Sequence, residues 1–141
     1  RQIMLTHLNV DQARFIALLA KAARAQRDAL LGKAKEQALG EAPAARGEHN
    51  PTAPLGLDPL PEASPQAAEL RAAIESLSSD ARAELYTLKR IGEGDLAADK
   101  WHRGIAEADL LGDAAVIADI LEDADLHDHV MKGLYEAQLA A

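Results

Sequence analysis

LSSDARAELYTLKRIGEGDLAADKWHRGIAEADLL, residues Leu77–Leu111, is the stretch whose reading decides the fold. It reads as two amphipathic helices folded about the turn Ile91-Gly92-Glu93-Gly94-Asp95, with the sole tryptophan, Trp101, soon after it. Ser78 or Ser79 suits the cap of the first helix, because a hydroxyl oxygen accepts from the free N–H groups of the first turn. Asp80 then sits near the positive end of the helix dipole. Ala81, Leu85, Leu88 and Ile91 recur at helical spacing and form one apolar stripe. Gly92 and Gly94 are expected to stop this helix, since glycine reaches the left-handed backbone that ends helices. Asp95 is the expected cap of the next helix, whose stripe is Trp101, Ile105, Ala108 and Leu111. Leu85, Leu88, Trp101 and Ile105 are therefore the predicted core of the hairpin. A turn this short makes its two helices neighbours.

Upstream, Asn9 and Gln12 form a capping-box pattern that opens a helix over residues 10–39. Phe15, Leu18, Leu19, Ala22, Ala29 and Leu30 are read as its apolar face. All six prolines fall between Pro43 and Pro65. Each removes a backbone donor and fixes φ, so residues 40–64 read as a Pro-rich loop or disordered linker. Ser64-Pro65 is a cap followed by proline at the first helical position, a favourable start. It opens a helical body over residues 65–139, beginning with a helix that buries Leu70, Ile74 and Leu77. After Gly112, Asp113 is the expected cap of a helix through Val116, Ile117, Ile120 and Leu121. The run Glu122-Asp123-Ala124-Asp125 predicts a kink or break. The last helix is expected to use Leu126, Val130, Met131, Leu134 and Tyr135. The fold class is thus all-α: one domain of about five helices with a Pro-rich insertion.

Composition agrees. Aromatic residues make up only 3% of the 141-residue chain, so its apolar mass is Ala and Leu, which favours closely packed helices over a sheet. Cysteine is absent, which excludes disulfides and thiolate chemistry and fits a reducing, cytoplasmic setting. No apolar run approaches the length of a membrane span, so no membrane partner is expected. Met4 as a native start and Arg1–Ile3 as an upstream extension are both open readings. Charge is uneven: residues 1–50 hold eight Lys+Arg and five Asp+Glu, whereas residues 96–141 hold three and ten. The net charge of −8 argues against binding to a phosphate backbone, so no nucleic-acid partner is expected.

Several residues together resemble a bacterial family described as domain of unknown function 3775. The resemblance rests on Val10-Asp11-Gln12-Ala13-Arg14-Phe15-Ile16, Glu69-Leu70-Arg71-Ala72-Ala73-Ile74, Ala83-Glu84-Leu85-Tyr86-Thr87-Leu88, and Ile91-Gly92-Glu93-Gly94-Asp95 before Trp101. The helix–Gly-x-Gly-Asp–helix–Trp module is its most specific part. Leu96 directly after Asp95, and the acidic residues before the last helix, depart from the pattern. What the resemblance implies is a fold; it carries no activity and no catalytic residue.

Candidate chemistry is thin. Read as a calcium loop, the glycine turn places Lys89, Ile91 and Lys100 where carboxylates are needed. Asp123/His127 and Asp125/His129 are pairs at helical spacing suited to a metal. His127 and His129, however, lie about 200° apart around a regular helix and cannot share one ion. Asp99, His102 and Arg103 read as surface ion pairs rather than acid–base groups. No metal site and no cofactor are predicted. A helix–turn–helix reading fails because neither hairpin helix has a basic face. By elimination, the sequence favours a non-enzymatic helical interaction or regulatory module, meeting a protein partner or a second copy through helix faces. Lys21, Arg24 and Arg27 are the candidate partner-binding residues. The rival is a small metal-dependent or acid–base enzyme using the acidic, histidine-containing C-terminal region.

Overall fold

A computed structural model describes residues 5–45 and 64–140, with side chains over 5–32 and 64–139. The described residues form six α-helices and no strand: α1 (Val10–Ala45), α2 (Pro65–Glu75), α3 (Ser79–Gly92), α4 (Trp101–Leu111), α5 (Asp113–Glu122) and α6 (Leu126–Ala140). A 3₁₀ turn, Ala98–Lys100, leads into α4. The predicted hairpin is present as α3 and α4, and α3 is the centre of the bundle. It packs against α4, α5 and α6, while α1 lies against α2 and α6.

The caps read from the sequence form at three helix starts. Gln12 N donates to Asn9 Oδ1 at 2.7 Å and Asn9 N to Gln12 Oε1 at 2.9 Å, a complete capping box. Ala67 N donates to Ser64 Oγ, and Ala81 N to Ser78 Oγ. Two other expected caps do not form. Asp95 takes an ion pair from Arg90 at 2.8 Å, and no side chain caps the 3₁₀ turn or α4. Asp113 lies inside the first turn of α5, where it accepts from Ser79 at 3.0 Å and pairs with Arg82 at 3.1 Å. In both places a nearby cation or hydroxyl outcompetes the backbone amides.

The boundaries shift in instructive ways. Helix α1 runs to Ala45, six residues past the expected end, and carries Pro43 in its last turn. Proline there forfeits a single helical hydrogen bond, which the preceding turns outweigh. The first residues of the expected linker, 40–45, are thus helical; residues 46–63, with Pro51, Pro54, Pro59 and Pro61, lie outside the described residues. The predicted break after Glu122 is real: Asp125 N donates to Asp123 Oδ1 at 2.9 Å, an Asx turn that separates α5 from α6.

Helix α3 carries more than the predicted stripe. Ten of its fourteen residues are buried, among them Glu84, Thr87 and Lys89. Leu85 and Leu88 are fully enclosed, whereas Trp101 and Ile105 on α4 are partly buried and pack against the core. What lets neighbours approach α3 so closely is glycine. A Cβ on Gly133 of α6 would overlap the carbonyl oxygen of Leu88, and one on Gly92 would overlap that of His129. On Gly104 of α4 it would lie 2.5 Å from Thr87 Cγ2. Gly92, expected to end the helix through its backbone freedom, instead closes α3 as a contact surface. Gly94, at φ +88°, makes the left-handed turn.

On α1 the expected apolar face is not the buried one. Ala13, Ile16, Ala17 and Ala20 enter the core, while Phe15 and Leu18 are 56% and 59% exposed. Met131 and Tyr135 of α6 likewise face outward. Apolar residues surround most of α1, so the 3.6-residue period admits more than one face. Neighbouring helices choose between them.

Two glycines predict opposite responses. Gly133→Ala puts a methyl group into backbone that cannot move aside and is expected to destabilise the fold by about 3 kcal/mol or more. Among the described residues nothing lies within 4 Å of a methyl group added at Gly32, so Gly32→Ala should stabilise by up to about 1 kcal/mol through helix propensity. Urea unfolding of both variants reads the two signs.

Candidate functional site

Helix α3 brings two charged groups into the interior, and each recruits partners. The Glu84 carboxylate accepts from the backbone N–H groups of Leu8 at 2.9 Å, His7 at 3.0 Å and Thr6 at 3.2 Å, and from Thr6 Oγ1 at 2.9 Å. Three successive amides just ahead of α1 thus converge on one buried anion, which fixes where that helix leaves the body. Burial alone pushes this carboxyl upward, but the backbone and hydroxyl donors outweigh it and hold it below the ordinary carboxylate range. Ala81, Glu84 and Leu88 share helical spacing, so a carboxylate on the apolar stripe was the available sequence signal for this anchor.

Lys89 is the second buried charge. Its ammonium lies 2.5 Å from Glu93 Oε2 and 2.9 Å from Asp119 Oδ2. Burial pushes the amine down, but both carboxylates favour the cation and hold it above the usual lysine value. Beside this pair, His129 Nδ1 lies 2.6 Å from Asp123 Oδ2. One ligand atom each from Glu93, Asp123 and His129 fall within 4.8 Å of one another, an arrangement able to hold a metal ion. The two metal pairs considered from the sequence are not formed. Asp123 meets His129 rather than His127, Asp125 binds Arg24, and His127 contacts Asp128. The Asx turn breaks the regular helix on which four-residue spacing depends.

The predicted partner-binding residues separate. Arg24 turns toward α6 and pairs with Asp125. Arg24 and Arg27, with Arg71 of α2, line a groove of about 790 Å³ between α1, α2 and α5. Its apolar floor includes Ala20, Leu70, Ile117 and Leu121. Lys21 is exposed and outside that lining. It flanks instead an outward stripe on α1: Phe15, Leu18, Ala22, Ala25, Ala29 and Gly32, all exposed. At about 100° per residue this stripe lies roughly 150° around the helix from the Ala13/Ile16/Ala17/Ala20 core face. Sequence reading placed Phe15, Leu18, Ala22 and Ala29 on one face correctly as a pattern, but assigned that face to the core.

The Glu84 anchor carries a pH dependence. Its folded-state value is depressed, so its stabilisation is complete above the ordinary carboxylate range and is lost as pH falls through the lower folded value. Glu84→Gln turns amide hydrogens toward backbone donors and should cost about 1.5–3 kcal/mol at pH 7, the worth of hydrogen bonds to a charged group. The loss should shrink at pH 3, as read by urea unfolding at both pH values.

No curated protein and no solved structure matches the chain. The family model that matches covers residues 67–139, from the first turn of α2 to the end of α6, and so takes in the whole of α3 with its glycine contacts and buried charges. The chain belongs to the family described as protein of unknown function, DUF3775.

Proposed function

We propose that the chain is a non-enzymatic helical interaction module of the cytoplasm, using the outer face of α1 to hold a protein partner. One observation carries this reading: α1 is apolar on two opposed sides. Its inner side enters the core, while Phe15 and Leu18 stand more than half exposed on the outer side. A helix with apolar residues all round is normally covered all round. Helix α6, which packs beside α1, adds Met131, Tyr135 and Leu139 to the exposed apolar surface. Among the described residues no helix is long and apolar enough to cross a membrane. The cytoplasmic placement rests on a chain free of cysteine, which suits a reducing compartment.

Capture of the tagged chain at native levels from its own cells tests the reading. Leu18→Glu and Lys21→Glu should each lose a stoichiometric partner while leaving the melting temperature nearly unchanged, because both side chains are exposed. Retention of the partner by both variants rejects the outer face. Charge reversal at Arg24 is a poorer probe, since it also breaks the tie to Asp125.

A second reading, a small metal-dependent enzyme, is favoured by the Glu93–Asp123–His129 geometry alone. A carboxylate–histidine set suits zinc, although the Lys89 ammonium already occupies the Glu93 carboxylate. Stoichiometric Zn²⁺ binding by calorimetry, abolished in His129→Ala, would favour this reading; the interaction module predicts no such binding.

A further inference from the structure

We propose that the partner on the outer face of α1 is the α1 helix of a second copy, docked antiparallel. This rests on the interaction reading above and names its partner. The outer stripe has spacings of three, four, three, four and three residues from Phe15 to Gly32, the seam that two helices share when they wind about each other. Its side chains are graded in size. Phe15 and Leu18 stand at one end, with Ala22, Ala25, Ala29 and Gly32 following.

That gradient selects the direction. A parallel pair sets Phe15 against Phe15 and Leu18 against Leu18, and leaves Gly32 facing Gly32 across a gap. Antiparallel pairing with Ala22 opposite Ala25 of the second copy sets Leu18 opposite Ala29 and Phe15 opposite Gly32. Every large side chain then meets a small one, and among the described residues nothing lies within 4 Å of where a side chain at Gly32 would be. Alternating large and small residues across facing positions is how helices interlock at close range.

Among residues 5–32, whose side chains are described, charge agrees with the same register. Lys21 and Asp28 both flank the seam on one edge, and both are exposed. The antiparallel register brings Lys21 against Asp28 of the second copy, and its symmetry repeats the pair. Among the described residues, Asp28 is met by Arg24 at 3.7 Å.

The chain has no cysteine, so introduced thiols report the register directly. Residues 18 and 29 of one helix are about 16 Å apart along its axis and cannot close on each other. In the proposed register, residue 18 of each copy faces residue 29 of the other, within the range a disulfide spans. Mild oxidation of the full-length Leu18→Cys/Ala29→Cys chain should give a covalent dimer, Leu18→Cys alone should not, and light scattering of the unaltered chain should give twice the monomer mass. Cross-linking of Leu18→Cys alone overturns the antiparallel arrangement. Absence of cross-linking in both variants overturns the second copy. If a different protein is then still lost in the capture assay on Leu18→Glu, the interaction module survives with another partner.

Discussion

Helix α3 has almost no free side, and the closeness of its contacts sets the rest of the bundle. Gly92 and Gly133 bring the backbones of α3 and α6 into direct apposition, and Gly104 lets the α4 backbone approach the Thr87 side chain. Where α3 meets α6, a single methyl group has nowhere to go, because the opposing atoms are main chain rather than movable side-chain ends. Around this crossing the remaining helices fill the faces of α3, and one continuous cluster of buried side chains draws on all six helices.

A helix buried on every side must also bury what its sequence places on its less apolar faces. Glu84, Thr87 and Lys89 are the consequence. Thr87 satisfies its hydroxyl within the helix, donating to the Ala83 carbonyl at 2.8 Å. Glu84 and Lys89 need partners from elsewhere, since an unpaired interior charge is prohibitive. Each therefore recruits a segment: Glu84 gathers the amides before α1, and Lys89 gathers Glu93 and Asp119. The charges place the first helix and α5 relative to the centre, a directional role that apolar contact does not fill.

Helix α1 is the reverse case. It reaches the body through small residues on one side and leaves larger ones outside. The family match begins in α2 and leaves α1 out, so the segment with the most exposed apolar surface lies beyond the matched range. The groove between α1, α2 and α5 draws its arginines partly into ion pairs within the chain, Arg24 with Asp125 and Arg71 with Glu75. That leaves the outer stripe as the surface whose chemistry is least explained by the fold itself.

Local chemistry was legible in the sequence. The all-α class, the α3–α4 hairpin, the caps at Asn9, Ser64 and Ser78 and the break after Glu122 all follow from propensity, periodicity and short-range hydrogen bonding. Each of those acts over a few residues. The candidate sites were less legible. Which side of α1 is buried, which partner Asp95 and Asp113 take, and how Asp123 comes to meet His129 depend on how the helices are set against one another. Gly92 shows the division most plainly. The sequence marked it as a helix end, and it is one. Only the packed bundle decided that its missing side chain is what α6 requires, because steric exclusion between two backbones exists only once both are in place.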